Sequence, residues 1–334
     1  MTQKKRSIGR IHKLYDKISR IVILYFVFSR VLYHKSNYTY LLASIIPELR
    51  NDSYLYRPSI RNKVIGHLIG IEAWHKMIFG KLSENYATTF LMACIAACYD
   101  NAIDLENFRE WEAFDLFLNH IPEYLRNVDT TTAIYAGKTA LIALKRSNPN
   151  YWESAWNYLV LINRATKDPF LEAGKAVPDE VRLRKSTYDK GGFSFLLFSL
   201  IENHKISNNA VELAYNFGAA CQIADDIYDR IEDKEQGQCT LPLNHILRDI
   251  DRHMIYNATE SLPRPHKIIP YALQNAWGIH LQDALKYYDS GKLNGLWRFN
   301  IGQIFFKLGI IIMPSLPFFI CKKNLTQHPG QIST

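Results

Sequence analysis

The sequence lacks the features of small disulfide-linked proteins and of fibrous proteins. Its 334 residues include five cysteines, none of them in a CxxC pair. A disulfide framework or a zinc ribbon is therefore not expected, and a reducing compartment fits better. Hydrophobic residues make up 48%, aromatic residues 13% and charged residues 22% of the chain. This composition excludes a disordered, collagenous or coiled-coil protein and is sufficient for a deep buried core.

Most of the chain also lacks an excess of charge of either sign. Residues 1–35 hold nine Lys or Arg against one acid, Asp16, and this segment accounts for the whole net charge of +8. Because basic and acidic side chains are equal in number in the rest of the chain, nucleic acid is not an expected partner. The basic N-terminus instead predicts peripheral membrane contact of a cytoplasmic protein.

Two apolar runs lie near the ends of the chain. The run at 21–28 is crowded with aromatic residues and lacks a small-residue cleavage site, which favours a first helix over a signal peptide. The run at 301–320 is long enough to span a bilayer, but a glutamine, a lysine and two prolines interrupt it. We expect a buried terminal helix followed by an irregular segment, with membrane insertion as the alternative.

Between these ends no stretch alternates as a β-strand does, and no Asn-Gly or Asp-Gly pair joins two β-rich runs. Helical spacing of apolar residues predicts helices within 88–99, 132–145, 151–162, 193–201, 209–231 and 272–287. Breaks are predicted at 148–150, 168–169, 177–179, 190–192 and 262–265. The sequence thus predicts an all-α fold of about ten helices: a basic arm and helix start at 1–35, one helical domain at 36–300, and an apolar segment and tail at 301–334.

Two clusters of aspartates follow very apolar helical segments. The first cluster is Asp100 and Asp104, and the second is Asp225, Asp226, Asp229 and Asp233. Within each cluster, residues four apart share one helical face. Like charges at this spacing repel, so a cation should offset them, and Mg²⁺ with added phosphate oxygens is the simplest candidate. The alternative is a pair of solvated acidic helix ends neutralised by Arg230, Lys234 and Arg109.

The second cluster lies in a segment that resembles the polyprenyl (isoprenyl) diphosphate synthases. That family's second aspartate-rich region is roughly FQxxDDxxDxxxD followed by GKxTLPL. Here the chain reads CQIADDIYDRIED over 221–233 and GQCTLPL over 237–243. This match in order and spacing is the most specific signal in the sequence.

Other landmarks of that family follow in the same order over about residues 50–250. The segment DNAID at 100–104 is similar to the first DDxxD motif, with Asn101 in place of the second Asp. AIYAGK at 133–138 resembles the family's AILAGD, with Lys138 in place of Asp. Lys190-Gly191 falls where the family has a Lys-Thr pair.

The resemblance implies the class I isoprenoid synthase fold, a helical bundle around a deep apolar cavity with the two motifs facing each other at its mouth. It also implies three Mg²⁺ ions that bridge carboxylates to the diphosphate of an allylic prenyl substrate. The implied residues are Asp100, Asp104, Asp225, Asp226 and Asp229 for catalysis, Asp100, Asp104, Asp225, Asp229 and Asp233 for metal, and Lys190, Gln222, Arg109, Arg57 and Lys234 for substrate.

The chain departs from the family where chain-elongating members bind isopentenyl diphosphate. Of their GKRLRP-like segment only the Arg-Pro at Arg57 remains, and of their Arg-Arg pair only Arg109, which is followed by Glu110. A diphosphate needs several fixed cationic donors, so this second site is expected to be lost unless Lys63 or Lys138 supplies the missing charge.

We therefore predict an enzyme that ionises a prenyl diphosphate and cyclises or rearranges the carbocation, as terpene synthases do. One alternative is a chain-elongating polyprenyl diphosphate synthase, and another is a non-catalytic homologue that acts as a partner subunit. A homodimer is compatible with each of these functions.

Overall fold

A computed structural model describes residues 2–49, 53–104, 132–202 and 206–290. In these ranges all regular structure is helical and there is no strand, which confirms the predicted all-α class. The ten α-helices of the described ranges are α1 (Thr2–Ile45), α2 (Ser53–Tyr56), α3 (Pro58–Phe79), α4 (Tyr86–Asp104), α5 (Ala133–Ser147), α6 (Pro149–Ala173), α7 (Glu180–Leu200), α8 (Asn208–Glu235), α9 (Asp249–Glu260) and α10 (Ile268–Asp289). A 3₁₀ turn, Pro47–Leu49, follows α1.

The helices pack mostly against their neighbours along the chain: α3 on α4, α4 on α5, α6 on α7, α7 on α8, and α8 on α9. The last described helix, α10, packs against α1, α3 and α8, so it contacts helices from both the beginning and the end of the described chain. Helix α4 is apolar on all sides from Phe90 to Cys98, and all of these residues except Ala96 are buried. A helix that is apolar on all sides packs in the core. Asp100 follows this segment of α4, at the point where the helix leaves the core.

Several helix starts follow ordinary capping chemistry. The side chains of Thr132, Asn148, Asp179 and Ser207 each accept a hydrogen bond from a backbone N–H of the first turn of α5, α6, α7 and α8. The predicted breaks at 177–179 and 262–265 are confirmed as the connections before α7 and α10. The predicted break at 148–150 is reduced to Asn148, which ends α5 and caps α6.

Two predicted breaks are wrong. Pro169 lies inside α6 near its C-terminal end, where its missing N–H removes a single ladder bond, and its carbonyl accepts from the Cys239 N–H at 3.0 Å. The pair Gly191-Gly192 lies inside α7. A Cβ on Gly191 would overlap the Gly218 carbonyl oxygen of α8, so glycine is required by the close approach of two helix backbones rather than by a turn.

A buried ionic cluster fixes α1 to the body of the protein. The Glu72 carboxylate of α3 accepts a bidentate pair of hydrogen bonds from Arg30, one of them 2.7 Å from Nε. Glu72 is also 3.0 Å from His34 Nε2, and His34 Nδ1 is 2.9 Å from the Tyr86 hydroxyl. Burial acts to raise the pKa of Glu72, but His34 and Arg30 outweigh it and hold that pKa below its usual value.

Across the part of the chain that the structure describes, no helix combines the length and apolar character needed to cross a membrane. The predictions for the 301–320 run and for Arg109 and Glu110 lie outside the described residues.

Candidate functional site

The two aspartate clusters meet around one lysine, Lys190 of α7. Burial acts to lower the pKa of Lys190, but the negative charges of four aspartates outweigh it and raise that pKa. These aspartates are Asp226, Asp225, Asp100 and Asp233. The end of α4, the middle of α7 and the acidic half of α8 therefore lie within electrostatic range of one another.

Asp100 is the described carboxylate of the first cluster, and α3 provides it with cations. Its Oδ2 lies 3.2 Å from His67 Nε2, and 44% of its side chain is exposed. Burial acts to raise the pKa of Asp100, but His67, with Lys63 and Lys190, holds it below its usual value. Beside it, Lys63 Nζ donates to Asn101 Oδ1 at 2.6 Å.

Asp225 is exposed to solvent on α8. The surrounding protein nevertheless raises its pKa by desolvation, and the charge of Asp100 raises it further, against the effect of Lys190. A carboxylate that is exposed to solvent and yet partly desolvated by its neighbours is typical of a recess rather than of a convex surface. Gln222 Nε2 donates to Asp225 Oδ2 at 3.1 Å, which orients the carboxylate.

Asp226 is buried and is held by two neutral donors. Thr187 Oγ1 of α7 donates to its Oδ2 at 3.0 Å, and Gln222 Nε2 donates to its Oδ1 at 2.8 Å. Burial, together with the charge of Asp225, raises the pKa of Asp226 to about 6 in spite of Lys190 and the two donors. Asp226 is therefore the buried carboxylate of this pair, and Asp225 is the one that solvent reaches.

Asp233 lies one turn beyond Asp229 and is the least satisfied carboxylate of the site. Its Oδ2 is buried and has no hydrogen-bond partner among the described residues. Burial, with the charges of Asp226, Asp225 and Asp229, raises its pKa to about 9 against the opposing charge of Lys190. The crowding of carboxylates on this face of α8 therefore favours the protonated form of Asp233.

The crossing of α7 and α8 explains how Lys190 reaches these acids. Gly191 and Gly218 lie backbone to backbone, and a Cβ on either would overlap the carbonyl oxygen of the other. Lys190 and Thr187, which lie next to this contact on α7, are thereby brought within reach of Asp226, to which Gln222 donates from one turn earlier on α8 itself.

The other predicted site residues have the following surroundings. Lys234 is exposed in the last turn of α8. Arg57 precedes α3, and its guanidinium lies 5.1 Å from the centre of the Tyr54 ring. Lys138 is buried in α5, where desolvation lowers its pKa. Asp104 is the last described residue of α4, and its side chain, like the whole of Arg109, lies outside the description.

Two contacts of the site were not predicted from the sequence. His67 faces Asp100 across the α3–α4 contact, and Thr187 faces Asp226 across the α7–α8 contact. Lys63 was predicted only as a candidate for missing charge. The spacing of Lys63 and His67 places them on one face of α3, but only the packing of α3 shows that this face meets the first cluster.

The donor set suits Mg²⁺, although no three His, Cys, Asp or Glu side chains in the described ranges form a preformed metal cage. Mg²⁺ commonly binds through one or two carboxylates and completes its shell with waters and substrate phosphate oxygens. Asp100, Asp225 and Asp233 provide hard oxygen donors, and the buried, unpartnered Oδ2 of Asp233 is an acceptor that a cation would satisfy.

Comparisons with protein-family models, with curated proteins and with solved structures found no match to this chain. The relation to the polyprenyl diphosphate synthases therefore stays a prediction from its motifs.

The raised pKa of Asp233 predicts a loss of stability with rising pH when metal is absent. Above pH 4 the unfolded chain releases this proton, whereas the folded protein retains it up to about pH 9. The folded state binds more protons in this window, so stability falls as pH rises. We expect Asp233→Asn to be more stable than the wild type by about 1–3 kcal/mol at pH 8 in EDTA, and by less at pH 5. Urea unfolding at both pH values measures this difference.

Glu235→Gln is the matched control, because it removes the same charge from an exposed position on α8. It should change the free energy of unfolding by less than about 0.5 kcal/mol at both pH values. An Asp233→Asn protein whose advantage over the wild type is equal at pH 5 and pH 8 would show that Asp233 is not the carboxylate with the raised pKa.

Proposed function

We propose that this protein is a Mg²⁺-dependent isoprenoid synthase that ionises an allylic prenyl diphosphate, releases diphosphate, and cyclises or rearranges the carbocation. The observation that carries the proposal is the convergence of Asp100 from α4 with Asp225, Asp226 and Asp233 from α8 around Lys190. The order and spacing of the motifs that resemble polyprenyl diphosphate synthases supply the reaction class.

Asp100, Asp225 and Asp229 are the residues that would hold Mg²⁺, with Asp233 in support. When bound, Mg²⁺ neutralises the diphosphate and makes it a leaving group. Lys190 would bind a diphosphate oxygen directly, since it is the cation at the centre of the cluster. Gln222 keeps Asp225 and Asp226 in fixed orientations through its two hydrogen bonds.

A carbocation formed here must be kept away from water until it rearranges. The apolar turns that precede the aspartates, 90–98 on α4 and 217–224 on α8, are nearly all buried. In the proposed enzyme these segments would form the dry apolar wall that the hydrocarbon part of a prenyl chain requires.

Chain elongation is the second candidate, because α3 adds two basic side chains beside the first cluster. Lys63 is bonded to Asn101, and His67 is bonded to Asp100. Elongation needs a second diphosphate next to the first, and two such anions repel unless separate cations neutralise each. Lys63 and His67 would bind the second anion, in place of the arginines that the sequence lacks.

One assay separates these functions: incubation with Mg²⁺ and geranyl, farnesyl or geranylgeranyl diphosphate, with and without labelled isopentenyl diphosphate. We expect diphosphate release from the allylic substrate alone, hydrocarbon or alcohol products, and no incorporation of label. Product analysis by gas chromatography and an assay of diphosphate release give the two readouts.

Label in a longer prenyl diphosphate, at a rate comparable to diphosphate release, would establish elongation instead. In that case Lys63→Gln should reduce incorporation more strongly than ionisation of the allylic substrate, because Lys63 Nζ donates to Asn101 beside the first cluster. No diphosphate release from any substrate would favour the non-catalytic partner subunit.

A further inference from the structure

Helix α1 has a continuous apolar face that is turned to solvent. From residue 18 to residue 33 its inner face packs into the core through Ile23, Phe26 and Val27. Large side chains on the other face are exposed: Ile18, Ile21, Leu24, Tyr25, Leu32 and Tyr33. Their spacing follows a helical stripe, and the exposed part from Ile21 to Tyr33 is about 20 Å long.

Between Ile21 and Tyr33 this face carries no exposed charge. Arg30 is the one charged residue between Ile21 and Tyr33, and its guanidinium is directed inward to the buried Glu72 carboxylate. Ser29 is the one other residue in this stretch that is neither aliphatic nor aromatic, and its hydroxyl donates to the Phe26 carbonyl of its own helix. An exposed apolar stripe of this length on a helix is a mark of an interaction surface.

The sequence immediately before the stripe is strongly basic. Residues 1–20 hold seven Lys or Arg and a single acid, and from Thr2 onward they belong to the same continuous helix. The same helix thus joins a cationic segment to an uncharged apolar face. Amphipathic tyrosines on that face, Tyr25 and Tyr33, have an apolar ring and a polar tip, which suits a boundary between hydrocarbon and water.

We propose that the α1 face at 18–33 lies on an anionic phospholipid surface, with the basic residues of 1–20 in the headgroup layer. The helix lies along the surface and inserts its exposed apolar side chains, since no described helix is able to span the bilayer. The Glu72–Arg30–His34 cluster fixes α1 to α3, so binding of the stripe brings the whole helical body to the membrane.

Charge favours lipid over a second copy of this chain as the occupant. Outside residues 1–35 the basic and acidic residues are equal in number, so a second copy brings no surplus of negative charge to meet the basic segment. An anionic leaflet supplies it, and each basic residue near such a surface adds to binding.

The test is flotation of the full-length protein with vesicles of phosphatidylcholine alone or with about one-third phosphatidylserine. Ile21 is 66% exposed and Tyr25 is 73% exposed, so Ile21→Ser/Tyr25→Ser should leave the fold intact. We expect the double variant to bind anionic vesicles about tenfold or more weakly than the wild type. Replacement of Lys4, Lys5, Lys13 and Lys17 by Gln should remove the preference for phosphatidylserine.

Tyr256→Ser is the matched control, because Tyr256 is 49% exposed but lies on α9 rather than on α1. It should bind like the wild type. Equal binding of the double variant and the wild type would overturn the proposal, as would equal binding of the wild type to neutral and anionic vesicles. A wild-type dimer that ignores vesicles and dissociates on Ile21→Ser/Tyr25→Ser would show a second copy on this face and overturn it too. None of these readouts depends on catalysis.

Discussion

Asp225→Asn is expected to lower the rate of diphosphate release about 10²- to 10³-fold or more and to leave the fold unchanged. The substitution removes a charge and keeps the volume of the side chain. Asp225 is a solvent-exposed carboxylate of the site, oriented by Gln222 and close enough to Asp100 for that charge to act on it. It is therefore the aspartate best placed to hold a metal–diphosphate complex.

The fold should persist because the site already disfavours this charge. Desolvation and Asp100 raise the pKa of Asp225, so its loss removes a repulsive group rather than a stabilising one. Thermal unfolding followed by circular dichroism checks this point alongside a Mg²⁺-dependent diphosphate-release assay on the same preparation.

Asp289→Asn gives a matched comparison at the end of α10. Asp289 is half-exposed and pairs with Arg252 on the surface, so its loss should leave turnover unchanged. Near wild-type turnover of Asp225→Asn would exclude the metal site as assigned, whatever the result for the control.

The sequence predicts the helices of this protein well because their periodicity is strong and their ends carry ordinary caps. The apolar spacing predicts a helix within 209–231, and the structure extends it to Asn208–Glu235 after a Ser207 cap. The two wrongly predicted helix breaks are at a glycine and a proline. Local preference treats Gly191 and Pro169 as breaks, but packing outweighs that preference when a backbone contact or a late helix position tolerates the residue.

The candidate site is predictable in part, for a similar reason. Spacing within one helix identifies the acidic faces of α4 and α8, because residues four apart must share a face. Contacts between helices are not contained in that spacing. The pairing of His67 with Asp100 and of Thr187 with Asp226 depends on how α3 and α7 pack, and it appears only in the folded chain.

Gly191→Ala is expected to destabilise the protein by about 3 kcal/mol or more, in spite of alanine's better helix propensity. A Cβ at position 191 would overlap the Gly218 carbonyl oxygen and lie 2.7 Å from the Gln222 Cβ. Backbone atoms cannot rotate away, so α7 and α8 must separate. Because Lys190 and Thr187 act on Asp226 across this contact, turnover should fall together with stability. Urea unfolding and diphosphate release measure the two effects.

Gly70→Ala separates packing from propensity. Gly70 lies inside α3, exposed, and a Cβ there would meet no heavy atom within 4 Å. The same substitution should therefore stabilise the protein by up to about 1 kcal/mol through helix propensity alone. Gly218→Ala, which makes the clash from the α8 side, should match Gly191→Ala in sign and size. If Gly191→Ala and Gly70→Ala instead changed stability equally, the two helices would not cross backbone to backbone, and Lys190 would need another route to the aspartates.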